Sequence, residues 1–218
     1  MKNITLPDKN MESLASIFSK YRVVPVVAVE DTETALPLAD ALLDGGLGII
    51  EVTFRTQAAA EVIQTLVKKR PELYVGAGTV LTAENLTAAV QAGAQFGVAP
   101  GFNPDTVTLA QEKKLPFMPG IATPTEIEAA LAKKCEVLKF FPAETLGGTA
   151  ALKAVSAPYR HTGIQFVPTG GVNESNFENY LELPNVAACG GTWLVSAKDI
   201  AEGNWKIITQ RVKRVTGM

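Results

Sequence analysis

The run VLKFF (137–141) sets a single lysine, Lys139, among Val137, Leu138, Phe140 and Phe141. Taking an ammonium group out of water is costly unless it is paired, and the common response is loss of the proton, which leaves a nucleophilic amine. Such an amine can add to a ketone and form an imine. A lysine at a strand end can also reach solvent along its alkyl stem, so this run alone leaves both readings open. A second stretch, IIEVTFRT (49–56), bears on the choice. Read as a strand it alternates, placing Glu51, Thr53 and Arg55 on one face and Val52 and Phe54 on the other. In isolation that pattern describes a half-solvated charge pair. Facing Lys139, it supplies an acid to a buried amine and a cation to an anionic substrate.

Two glycine pairs carry the next signal. PTGG (168–171) contains Gly170 and Gly171, and CGGTW (189–193) contains Gly190 and Gly191 followed by Thr192. Glycine lets backbone N–H groups approach an oxyanion closely, and a helix N-terminus can hold phosphate without a basic cluster. One such pair is most often a plain turn. Two, each at the end of a candidate strand, point to a phosphate cradle. In GAGTV (76–80), Thr79 closes a third strand, where its hydroxyl could help orient a carboxylate held by Arg55; a tight turn of small residues explains the same letters. Pro100, Pro119 and Phe141 also fall at strand ends, where they form an apolar pocket wall or simply pack.

These residues need elements to position them. Apolar runs at 23–29, 48–54, 73–77, 96–99, 116–120, 137–141, 164–169 and 186–189 read as eight strands. Between them lie segments such as TEIEAALAKKC, with apolar residues at three- and four-residue spacing and a Thr or Asp in the first turn. Strands apolar on both faces and joined by helices imply a parallel sheet covered on both sides. The expected class is α/β, as a closed (β/α)8 TIM barrel in one domain over residues 1–218. An open doubly wound sheet is the alternative, but the G-x-G-x-x-G turn after its first strand is missing. Residues 10–20 carry a helical pattern, an extra N-terminal helix over the bottom of the barrel. In such a barrel the chemistry lies at the carboxyl ends of the strands, where phosphate often sits after strands seven and eight.

Composition excludes several classes of function. The chain has 218 residues, 47% hydrophobic and 19% charged, with 20 Lys and Arg against 22 Asp and Glu, a formal net charge of −2. That balance offers no basic stripe to nucleic acid. The one histidine, His161, rules out clustered imidazole ligands; it precedes the seventh strand, at the bottom of the barrel, and receives no role. Cys135 and Cys189 lie in separate apolar segments without C-x-x-C spacing, as small buried side chains in a reducing compartment do. The start has no apolar signal region, and no segment offers the roughly 18 apolar residues of a membrane span, so a cytoplasmic protein with no membrane partner is expected.

Taken together, VVPVV, GGLGIIEVTFRT, VGAGTVL, AGAQFGVAPGFNP, PFMPGIATPTE, VLKFFPAE, FVPTGGV and CGGTWLV resemble, in order and spacing over nearly the whole chain, a family of class I aldolases. Its members act on 2-keto-3-deoxy-6-phosphogluconate (KDPG) and 4-hydroxy-2-oxoglutarate (KHG). The resemblance implies a homotrimeric (β/α)8 barrel that uses a lysine imine and needs neither metal nor organic cofactor. It assigns Lys139 as the imine former and Glu51 as general acid and base, with Arg55 and Thr79 on the substrate carboxylate. The phosphate falls to Gly170, Gly171, Gly190, Gly191 and Thr192. Two positions depart from the pattern: GGTW stands where GGSW is frequent, which keeps the hydroxyl, and Gly48 stands where a basic residue is common. An aldolase for the C4 epimer, a carboxylate-based sugar-phosphate isomerase or epimerase, and a binding-only sensor are the competing functions.

Overall fold

The computed structural model describes residues 13–218, in which short parallel strands alternate with helices throughout. The strands are β1 (Val23–Val27), β2 (Ile49–Thr53), β3 (Tyr74–Gly78), β4 (Phe96–Val98), β5 (Phe117–Met118), β6 (Gly120–Ile121), β7 (Val137–Phe140), β8 (Gln165–Pro168) and β9 (Cys189–Gly191). Six of them pair in the order β5-β4-β3-β2-β1-β9, and β6-β7-β8 form a second run. The two runs meet on both sides. Bridges Phe166–Val186 and Thr169–Gly190 tie β8 to the β9 segment. On the other side, Ala99 N donates to Met118 O (3.2 Å) and Lys139 N to Pro119 O (2.9 Å), so one segment bonds to β4 through its first half and to β7 through its second. The result is a closed (β/α)8 barrel of eight staves, in which β5 and β6 together make the fifth.

Two sequence expectations need correction. The fifth strand, expected over 116–120, is divided, because Pro119 has no N–H to donate and interrupts the ladder between β5 and β6. The eighth, expected over 186–189, begins only at Cys189. Val186 makes a single bridge to β8, whereas Cys189, Gly190 and Gly191 register with Val23, Val24 and Pro25 of β1. The apolar run VAAC is therefore the buried approach to the strand, and the Gly-Gly pair lies within it.

Helices α1 (Leu14–Tyr21), α2 (Ala35–Asp44), α3 (Ala59–Lys69), α4 (Ala83–Gln91), α5 (Pro104–Glu112), α6 (Pro124–Ala132), α7 (Gly148–Ser156), α8 (Phe177–Leu181), α9 (Ala197–Ala201) and α10 (Trp205–Thr216) accompany the staves. Their starts follow local chemistry. The side chains of Thr82, Asn103 and Thr123 accept from backbone N–H groups of α4, α5 and α6, and at α6 Glu126 returns the bond in a capping box, with Pro124 in the first turn. The extra helix is present as α1, capped by Ser13; residues 10–12 of the expected span lie outside the described residues. No helix among the described residues is long and apolar enough to cross a membrane.

The lower barrel is filled by aromatic rings. Phe96 of β4 lies fully buried, edge-on to Phe18 of α1 (5.2 Å between centroids, 81° between planes) and stacked on Tyr74 (5.3 Å, 14°). Gly76, on the neighbouring stave, makes room for it, since a Cβ there would overlap the Phe96 ring. This plug carries α1 as well as the barrel. Phe96→Ala is expected to lower unfolding free energy by about 3–5 kcal/mol in urea titrations; a loss below about 1 kcal/mol would mean that the ring is not a packing centre.

Candidate active site

Lys139 lies in β7, registered with Gly120 of β6 and Val167 of β8, and Glu51 lies in β2, registered with Val26 of β1 and Gly76 of β3. The two staves are not neighbours, so the side chains meet across the barrel interior. Lys139 Nζ stands 3.7 Å from Glu51 Oε1, with the residues only 5% and 2% exposed. The strand pattern that makes Lys139 conspicuous thus places it where the sequence leads one to expect, and the snorkelling alternative fails. Glu51 Oε1 makes no hydrogen bond to a protein group among the described residues, so the carboxylate is held by packing and by the lysine charge. Phe141, just beyond β7, places its ring centroid 5.4 Å from Lys139 Nζ, within cation–π range.

Gly78, the last residue of β3, gives Glu51 its space: a Cβ there would lie 2.7 Å from Glu51 Cγ and 2.8 Å from Cδ. Sequence reasoning does not single out this glycine. Its only signal is a small residue ending the stave beside the one that carries the acid.

Arg55 and Thr79 follow adjacent staves, whose ends are joined where Phe54 N donates to Gly78 O (2.8 Å). Arg55 is exposed and donates from Nε to Thr53 Oγ1 (3.0 Å), which itself donates to Val27 O (2.9 Å). The strand alternation shows Thr53 only as sharing a face with Glu51 and Arg55; the structure makes it a link between Arg55 and β1. Thr79 is half-buried and adopts a left-handed backbone, φ 54°, which costs a β-branched residue local strain. Pro100, beyond β4, presents its backbone to Gly120, where no Cβ would fit.

The glycines divide into two kinds. Gly170 and Gly171 follow β8 with φ of 94° and 81°, a conformation that needs glycine and turns backbone N–H groups in unusual directions. Gly190 and Gly191 lie within β9, and packing explains them: a Cβ at 190 would meet Thr169 Oγ1, and one at 191 the Trp193 ring. Thr192 follows, exposed. The first loop has a support that the sequence does not reveal. Ala143 N and Glu144 N donate to Thr169 O (2.8 Å) and Gly170 O (3.0 Å). The Glu144 side chain sits against Gly171 and accepts from the hydroxyl of fully buried Tyr180. Burial and that carboxylate raise the Tyr180 phenol well above its ordinary range, which keeps it a donor.

Other candidates fall away from this centre. His161 is exposed in the 3-10 segment Ala157–Thr162 ahead of β8. Cys135 and Cys189 are buried free thiols, pushed by burial to about 11 and about 12. Two clefts of about 260 Å³ each, one lined by Lys134, Cys135 and Gly163, the other by Glu144, Gly147 and Tyr180, contain neither Lys139 nor Glu51.

A buried amine facing a buried carboxylate across a parallel barrel, with a cation and glycine loops at stave ends, defines a barrel enzyme built for amine chemistry. The sequence model of the family described as "Aldolase: KDPG and KHG aldolase" matches residues 14–211. A Treponema pallidum (strain Nichols) protein named 2-dehydro-3-deoxy-phosphogluconate aldolase is 46% identical over 211 residues, covering 95% of this chain and all of its own. The Escherichia coli (strain K12) KHG/KDPG aldolase is 40% identical over 203 residues, 93% of this chain and 94% of its own. Among solved structures, a KDPG aldolase from Legionella pneumophila superposes with TM-score 0.88 at 39% identity, over 92% of this chain and 97% of that one; it holds pyruvate as a covalent carbinolamine intermediate. The chain belongs to the KDPG and KHG aldolase family.

The clearance at Gly78 can be tested directly. Gly78→Ala is expected to displace the Glu51 side chain, which occupies the space of the new Cβ, and to lower kcat by about a hundredfold. A crystal structure of the variant would show the shift; unchanged Glu51 coordinates with full activity would refute it.

Proposed function

We propose that this chain is a class I aldolase that cleaves KDPG to pyruvate and glyceraldehyde 3-phosphate, and 4-hydroxy-2-oxoglutarate to pyruvate and glyoxylate. The observation that carries the reading is the Lys139–Glu51 pair, 3.7 Å apart and almost wholly buried. Glu51 takes a proton from the Lys139 ammonium, the freed amine attacks the C2 ketone, and Glu51 returns that proton to the departing hydroxyl, so that water leaves and an iminium stands at C2 beside the carboxylate. Glu51, directly or through a water, removes the C4 hydroxyl proton. The C3–C4 bond then breaks, its electrons pass into the enamine, and the aldehyde leaves. Glu51 returns a proton to C3, and hydrolysis frees pyruvate and the lysine.

Arg55, with Thr79, holds the carboxylate that both substrates carry beside the ketone. The phosphate lies between the Gly170–Gly171 turn and the end of β9, met by backbone N–H groups and the Thr192 hydroxyl; Gly190 and Gly191 bring that backbone close. Phe141 and Pro100 form the apolar wall. The lysine imine supplies the electron sink, so the reaction needs no metal and no organic cofactor. The protein acts as one barrel domain, assembled as a homotrimer in the cytoplasm, with small keto acids as its ligands.

Two experiments test this reading. Incubation with pyruvate and borohydride is expected to add one reduced pyruvyl group, mapped to Lys139 by mass spectrometry and absent in Lys139→Ala. A folded protein that gains no adduct would redirect the assignment to an isomerase working through carboxylates. Thr192→Val, which keeps the shape and removes the hydroxyl, is expected to raise KM for KDPG about tenfold while leaving KM for 4-hydroxy-2-oxoglutarate nearly unchanged. Equal losses on both substrates would remove Thr192 from the phosphate site.

A further inference from the structure

Thr53 occupies the last position of β2, fully buried, two residues beyond Glu51 and two before Arg55. A hydroxyl has one proton to give and two lone pairs to accept with. The Thr53 proton goes to Val27 O on β1 at 2.9 Å, so its oxygen faces Arg55 as an acceptor and receives Nε–H at 3.0 Å. The next threonine repeats the tie, with Thr56 Oγ1 donating to Val29 O at 2.7 Å. The two hydroxyls fasten the segment that carries Arg55 to the end of β1 and to the residues just after it, although Arg55 itself is exposed and would otherwise sample many rotamers.

A guanidinium can grip a carboxylate side-on, through Nε and one Nη, or end-on, through both Nη groups. With Nε committed to Thr53, only the end-on fork remains open. We propose that Thr53 is a positioning residue for substrate binding: its hydroxyl orders the Arg55 guanidinium so that Nη1 and Nη2 face the keto-acid carboxylate. The inference rests on the carboxylate role given to Arg55 above. Valine would fill the same volume yet neither donate nor accept, so the hydroxyl is what the position uses.

The test compares Thr53→Val, Thr53→Ser, Arg55→Leu and the double variant that combines Thr53→Val with Arg55→Leu. KM and kcat are measured on both substrates, together with the pyruvate concentration that gives half-maximal borohydride trapping. Thr53→Val is expected to raise KM about tenfold on KDPG and 4-hydroxy-2-oxoglutarate alike, with a much smaller change in kcat. The trapping midpoint should rise in parallel, and Thr53→Ser should restore both. The double variant should match Arg55→Leu, because the threonine acts through the arginine. Thr53→Val also leaves Val27 O without its partner, so thermal unfolding is recorded for each variant. A lower Tm with KM and trapping midpoint intact, while Arg55→Leu impairs both, would make Thr53 a structural residue and overturn the proposal. Normal KM in Arg55→Leu would instead remove the carboxylate role of Arg55, and this inference with it.

Discussion

The structure depends on one arrangement: an amine and a carboxylate from non-adjacent staves, brought together inside a barrel whose buried residues are mostly apolar. Neither group belongs there alone. A lysine buried without a partner carries the full cost of desolvation, and so does a carboxylate. Together they offset part of that cost, yet a buried ion pair is often no more stabilising than well-packed apolar residues of the same volume. Stability therefore does not explain the pair. The separation of 3.7 Å is too long for a hydrogen bond, and Glu51 Oε1 has no other protein partner among the described residues. A carboxylate so held, close to the amine yet unbonded, keeps acceptor capacity that a fully satisfied structural salt bridge has already used.

The rest of the barrel divides along its axis to make this possible. At the bottom, Phe96, Phe18 and Tyr74 pack ring against ring, and Gly76 gives way to them. Further along β3, Gly78 yields space to Glu51 in the same manner. One short strand, YVGAG, thus serves an aromatic plug at one glycine and a polar centre at the other. The bottom provides rigidity by close packing, and the top provides polar groups held by neighbouring strands rather than by flexible loops. Thr53 shows the second principle on a small scale, its single proton given to β1 and its lone pair to Arg55.

The sequence makes legible whatever depends on type and period. The β-then-α alternation leads to eight staves because apolar runs and helix starts are local signals, and Lys139 stands out because its neighbours in VLKFF are all apolar. Period-two alternation groups Glu51 with Thr53 and Arg55 on one face, and only beside the apolar-flanked lysine does that face read as a site. What the sequence hides is mutual placement. Nothing in PFMPG marks Pro119 as the point where one stave changes partners, since that needs the neighbouring ladders. The shift of the last strand to Cys189–Gly191 is hidden for a related reason: VAAC is as apolar as a strand, and only the register with β1 shows that CGG is the paired part. Glu144 and Tyr180, 36 residues apart, carry no joint signal at all.

The glycines mark the boundary between what letters tell and what they do not. Four of them look alike in the sequence as parts of a cradle, yet only Gly170 and Gly171 require glycine for their backbone angles; Gly190 and Gly191 require it because Thr169 and Trp193 occupy the space a side chain would need. The two causes are compatible with one purpose. A strand without side chains lets the neighbouring loop close over it, and a loop with positive φ turns its amides out of the usual direction. The positive-φ turn is the route that can turn backbone donors outward, in a chain whose net charge of −2 offers no surplus of cations, whereas Gly190 and Gly191 stay buried in the ladder. Glu144, whose side chain lies against Gly171 while Tyr180 occupies one of its oxygens, then has a physical reason to be hydrogen-bonded rather than free. The bond from the Tyr180 hydroxyl takes up acceptor capacity of the Glu144 carboxylate, so the acid whose stem packs against Gly171 is less free to accept from the amides of that turn.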